Sequence, residues 1–207
     1  MTRLLIFPCN GNGIEALDCL GPGVECVGFV DDTPEKQGTI VAGVPVFSRK
    51  ALQDYPDALV LAVPGSPTSF PQRDAVIASL ELPESRFATV IHPGAHVSSG
   101  ATIGYNVLIM AGVVITSNAR VGNHVCMLPN SVLHHDSALG DYTLVGSQVV
   151  IAGNTEVGRQ CYIGSASSLI NGIRIGDHSL IGMGSNVIRS LPEKSKVVGN
   201  PAKLPGQ

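Results

Sequence analysis

The chain has 207 residues, 44% of them apolar and only 14% charged, with 24 Gly, 14 Pro and a net charge of −3. That length suits one large domain or two small ones, and the apolar share excludes a disordered chain. There is no Lys/Arg block, so neither nucleic acid nor an anionic membrane is an expected partner.

The first apolar run, Leu4–Phe7, is too short for a signal peptide or a membrane span, so no membrane insertion is expected. Five cysteines without CxxC spacing read as reduced thiols, the pattern of a cytoplasmic protein. Leu4–Phe7 is predicted as a strand, followed by a glycine loop and a helix from about Ile14 to Leu20. A second strand is predicted at Glu25–Val30 and a third at Ala58–Val63. A Pro/Gly/Ser loop and a helix from about Gln72 to Leu80 follow. Alternating strands and helices predict a small α/β domain with a parallel sheet over residues 1–85, ending in the linker Glu81–Ser85.

Within it, Gly11-x-Gly13-x-x-Ala16 lies between strand and helix, and Asp31 and Asp32 end the next strand. Glycines let a phosphate approach the backbone, and a strand-end carboxylate can hold a ribose hydroxyl or a base edge. The unit is too short for both halves of a dinucleotide fold. A Rossmann-like half domain binding one nucleotide, such as the carrier of an activated sugar, is the functional reading; a turn that merely needs glycine is the alternative.

From Ile91 to Val187 every sixth residue is aliphatic, with Met127 the one thioether. A column four residues later, from Ala95 to Ser185, is almost entirely small or β-branched. Neither a helix nor a plain strand has a period of six. It is the hexapeptide pattern of a parallel β-helix, predicted over 86–195, with 196–207 as a C-terminal tail. Glycine follows the aliphatic residue in many hexads, as at Gly104, Gly122, Gly140 and Gly158, and is predicted to supply an unusual φ at the corners.

This phase puts Leu133 and Ser137 inside and His134, His135 and Asp136 on a corner facing outward. One coil along, Gly153 takes the place of His135 and is expected to offer an exposed amide beside the imidazole. A base and an N–H donor on adjacent coils could serve an attacking nucleophile and a thioester carbonyl. Polar residues simply decorating a corner are the alternative.

Outward residues repeat as well. Two columns are apolar (Leu108, Cys126, Leu144, Tyr162, Leu180; and Val114, Val132, Val150, Ser168), and a third is polar (Thr102, Arg120, Ala138, Glu156, Arg174). Exposed apolar faces predict subunit contacts.

Five stretches, "GFVDD", "GVPVF", "FATVIHPGAHVSSGATIG", "LHHDSALGDY" and "VVGNPAK", resemble the bacterial sugar acetyltransferases that join a nucleotide-sugar domain to a left-handed β-helix. These include the bacillosamine and perosamine N-acetyltransferases and the sialic acid O-acetyltransferase group. The resemblance implies left-handed winding and a homotrimer. It implies acetyl-CoA as co-substrate, without a metal, and acetylation of a nucleotide-linked amino sugar, a 4-amino-4,6-dideoxy sugar destined for surface glycans. It implies His135 as general base, Asp136 as its partner and Gly153 as donor to the acetyl carbonyl. Acetyl-CoA is placed near Ser165, Gly182 and Met183, in a groove between subunits. The nucleotide sugar is placed over Gly11, Gly13, Asp31 and Asp32, with His134 a further substrate contact. O-acetylation of a sialic-acid-like sugar and a non-catalytic sugar-nucleotide-binding trimer are the alternatives. Two departures stand out: Ile14-Glu15-Ala16 replaces the His and basic residue usual in the first loop, and Ser66 stands where the family pattern has Asp.

Overall fold

The computed structural model describes residues 1–203. Strands β1 (Thr2–Phe7), β2 (Val24–Val30), β3 (Ile40–Val41), β4 (Val44–Phe47) and β5 (Leu59–Ala62) form one sheet in the order β3-β4-β2-β1-β5. All pairs are parallel except β3–β4, a tight hairpin that the sequence reading missed. Helices α1 (Gly11–Glu15) and α3 (Arg73–Ala78) are shorter than predicted, α1 passing into a 3-10 turn at Ala16–Cys19, and the short helix α2 (Ala51–Asp54) was not predicted.

From Val90 onward the chain winds through two-residue strands that pair in parallel one coil apart, such as Val114 with Val132. They build three separate sheets of seven, six and five strands. The hexad phase is the cause: the aliphatic residues Ile109, Ile115, Met127, Leu133 and Ile151 are fully buried along the axis. The small column faces inward too, and its hydroxyls are satisfied there. Ser137 Oγ donates to the Ala152 carbonyl at 2.8 Å and accepts from the Thr155 amide at 3.1 Å. Buried hydroxyls need such partners, and the stacked coils supply them at a fixed offset. Lys196–Val197, expected in the tail, instead adds a last strand against Leu180–Ile181; residues 204–207 of that expected tail lie outside the described residues.

Two expectations change. Left-handed φ falls not on the glycines after the aliphatic column but two residues later, at Asn106, His124, Asp136, Tyr142, Asn154, Gln160 and His178. The glycines serve close packing instead. A Cβ on Gly140 would come 2.5 Å from the Arg159 nitrogen, and one on Gly164 equally near the Met183 nitrogen. The second change concerns the apolar faces. Leu108, Cys126 and Leu144 are buried within the chain, in one core with Leu4, Ile6, Phe29 and Leu61 from the N-terminal sheet and Phe70 from the loop after β5. That face is covered in cis, and among the described residues the other apolar face, bearing Val132 and Val150, stays open, Val150 being 36% exposed.

Candidate active site

Asp136 adopts φ +58° at its corner, which turns its carboxylate back toward the preceding side chain. Its Oδ2 lies 2.8 Å from His135 Nδ1, and its Oδ1 accepts from Asn118 Nδ2, one coil earlier, at 3.1 Å. The hydrogen bond from His135, and then that from Asn118, hold the Asp136 carboxyl below the usual carboxylate range. An ionised carboxylate only accepts, so Nδ1 carries the proton and Nε2 of the neutral ring keeps its lone pair. Both side chains are about half exposed. The constellation is therefore a solvent-accessible base with its tautomer fixed.

Gly153 is buried rather than exposed, because the imidazole lies directly over it. A Cβ there would stand 2.6 Å from His135 Nε2 and 2.7 Å from Cε1. Glycine is what lets the ring lie flat. Gly153→Ala should leave the fold intact, since the exposed ring can swing away, but break the aspartate contact. A catalytic group displaced by about 1 Å can cost roughly 10²-fold in rate, so kcat should fall by about that factor at unchanged melting temperature. Wild-type kcat in this variant would show that ring placement is unimportant. His134 is half-buried and, among the described residues, its side chain makes no hydrogen bond.

The second group of predicted residues lies elsewhere. The C-terminal ends of β1 and β5 flank the point where the strand order reverses, the place where open α/β sheets bind ligands. A cavity of about 360 Å³ opens there between the sheet and the coils. Asn10, Gly11 and Asn12 line it from one loop and Gly65, Ser66 and Pro67 from the other, with Leu144, Gly146 and Tyr162 as its floor. Gly11 is in the wall. Gly13 is not: its amide donates to Asn10 Oδ1 at 2.8 Å, and a Cβ there would meet the Pro8 carbonyl at 2.3 Å.

Asp31 and Asp32 are also committed within the chain. Asp31 is 3% exposed and accepts from the Cys9 amide, the Thr33 amide and Lys36 Nζ. Burial pushes its carboxyl up, but bonds from Thr33 and Lys36 outweigh this and leave it lowered. Asp32 forms a two-pronged pair with Arg49, both contacts at 2.7 Å. Asp31 thus braces the first loop rather than facing the cavity. Ser66 Oγ is 3.0 Å from Thr68 Oγ1 and 2.9 Å from Ser69 Oγ, a neutral hydroxyl cluster on the cavity wall.

Ser165, Gly182 and Met183 lie on the corner that this cavity reaches through Gly146. Ser165 Oγ accepts from the Ser147 amide at 3.1 Å, and Met183 is 74% exposed. His135 is on the next corner, across the open Val132/Val150 face. A single chain therefore does not bring the two groups together.

The third corner carries residues that the sequence reading passed over. Asn106 pairs with both the N–H and the C=O of Ala62, at 2.7 and 2.9 Å. Arg73, 1% exposed, donates to the His124 carbonyl at 2.7 and 3.3 Å and to the Pro64 carbonyl. Gln160 Nε2 reaches the Pro71 carbonyl at 2.7 Å. The signal was available, because Asn106, His124, Tyr142 and Gln160 recur one coil apart at equivalent corner positions. Burial, and then the Arg73 charge, push His124 down from 6.5 to about 4. The unfolded chain thus binds a proton more readily, so His124 costs stability as pH falls from about 6.5 through 4. The urea midpoint should drop across that window, and His124→Asn should flatten the drop. An equal drop in the variant would assign it to other groups.

No family model matches the sequence, and no curated relative matches it either. Solved structures do. The perosamine N-acetyltransferase of Caulobacter crescentus, in complex with CoA and GDP-perosamine, is 27% identical, with 100% of this chain and 98% of that chain covered and a TM-score of 0.84. A variant of it with one histidine replaced by asparagine is 26% identical over the same shares, TM-score 0.85. The acetyltransferase domain of PglB from Neisseria gonorrhoeae shares the fold at 24% identity, covering 99% of this chain and all of that one, with a TM-score of 0.82. The structural neighbours of this chain thus include sugar acetyltransferases matched from end to end.

Proposed function

We propose that the protein is an acetyl-CoA-dependent N-acetyltransferase acting on a nucleotide-linked amino sugar. The observation that carries this is the His135–Asp136 pair laid over Gly153, in a chain that matches a perosamine N-acetyltransferase along its whole length. An amine attacks only when neutral, and the amide forms only after the attacking nitrogen loses a proton. His135 Nε2, without a hydrogen-bond partner among the described residues, takes that proton; Asp136 holds the ring and favours its charged form. As the C–N bond forms, the thioester C–S bond breaks and CoA leaves as a thiolate, which takes up the proton held by His135; no step requires a metal.

Residues 1–85 act as the Rossmann-like nucleotide-sugar unit and 86–195 as the left-handed acyl-transfer unit. The cavity at the ends of β1 and β5 takes the nucleotide sugar, with Gly11 and Ser66 in its wall. Ser165, Gly182 and Met183 hold acetyl-CoA: their corner is open, glycine-rich and next to that cavity. The Gly153 amide serves the acetyl carbonyl, and His134 contacts substrate from the neighbouring position. Since the co-substrate corner and the imidazole corner flank the open Val132/Val150 face, packing of that face in a cyclic trimer joins one copy's cavity to another's base.

The test is thiol release from acetyl-CoA against GDP-, UDP-, dTDP- and CMP-linked sugars with and without an amine. Release with an amino sugar, and an N-acetyl product by mass spectrometry, is the expected outcome. Turnover of a sialic acid alone would move the activity to O-acetylation.

A further inference from the structure

A second hollow, of about 570 Å³, opens over the last coils on the far side of the loop that follows β5. Phe70 and Pro71 of that loop and Leu180 of the solenoid form an apolar floor. Lys194, Lys196 and His178 stand around it. Among the described residues the lining contains no carboxylate. Lys194 approaches Glu193 at 3.7 Å, but both are about 70% exposed and solvent screens the pair. Among the described residues Lys196 makes no ion pair. In a chain of net charge −3, this is a local concentration of positive charge above an apolar surface. The volume suits a small ligand rather than a peptide. None of the residues assigned to acetyl transfer lines it.

We propose that this hollow is a separate binding site for a small anion that joins a phosphate to a flat ring, the chemistry of a nucleoside monophosphate. The two lysines take the phosphate and the Phe70–Pro71–Leu180 floor takes the ring. Pro67 lines both this hollow and the candidate sugar cavity, so competition must be measured directly.

The probe is AMP, titrated calorimetrically into the full-length protein, a readout independent of acetyl transfer and hence of the function proposed above. Adenosine alone and inorganic phosphate alone should each bind at least tenfold more weakly. Exchanging both exposed lysines, Lys194→Ala with Lys196→Ala, should weaken AMP at least tenfold and leave basal turnover unchanged. Saturating CoA should shift AMP affinity by less than twofold. Absence of AMP binding, equal affinity in the double variant, or displacement by CoA would each overturn the proposal, the last by making AMP a mimic of the co-substrate's adenosine end.

Discussion

Replacing His135 with alanine lowers kcat for acetyl transfer by about 10² to 10⁴, the usual cost of losing a positioned general base. Stability should not change, because the side chain is 56% exposed and makes one hydrogen bond, to an equally open Asp136. Asp136→Asn should sit between wild type and His135→Ala. Its amide can donate to Nδ1, which favours the tautomer whose Nε2 carries the proton, and it removes the charge that stabilises the imidazolium. Steady-state kinetics with melting curves on all three proteins separate these effects. A His135→Ala protein with full turnover would remove the imidazole from the mechanism.

The second large effect is on the fold. Among the described residues no carboxylate pairs with the buried Arg73; its guanidinium bonds two carbonyls, Pro64 from the N-terminal unit and His124 from the coils. Burial pushes its pKa down to about 10, so the charge itself is costly there. Removing it would relieve that cost but orphan two buried acceptors, at about 1–3 kcal/mol each. Arg73→Met should therefore lose on the order of 3 kcal/mol in urea unfolding, and Arg73→Lys should recover little, since one ammonium cannot span both acceptors. Amide exchange should quicken around Ala62–Ser66, and the KM for the sugar nucleotide should rise because that loop walls the cavity. Unchanged stability in Arg73→Met would show that the apolar contacts alone hold the units together.

Much of this was legible in the residues. A six-residue beat fixes which side chains face inward, and the phase alone places His135 and Asp136 on a corner above Gly153. Other features were hidden for physical reasons. The apolarity of Leu108, Cys126 and Leu144 reports that they are buried, not whether a partner or the chain's own sheet covers them. Asp31 and Asp32 at a strand end look alike whether they await a ribose or already hold Lys36 and Arg49. A glycine at a corner suggests a positive φ, but that strain falls two residues on, and the glycines answer to the coil stacked against them. Gly153 was expected to bare its amide; a residue over which a ring can lie flat is, for that reason, covered.

The most direct measurement is a crystal structure with CoA and a nucleotide-linked amino sugar bound. It should place the sugar nitrogen within about 3.2 Å of His135 Nε2, or one water away, in a site completed by a second copy. A sugar seated at the ends of β1 and β5 with its amine beyond reach of any copy's His135 would contradict the proposed chemistry.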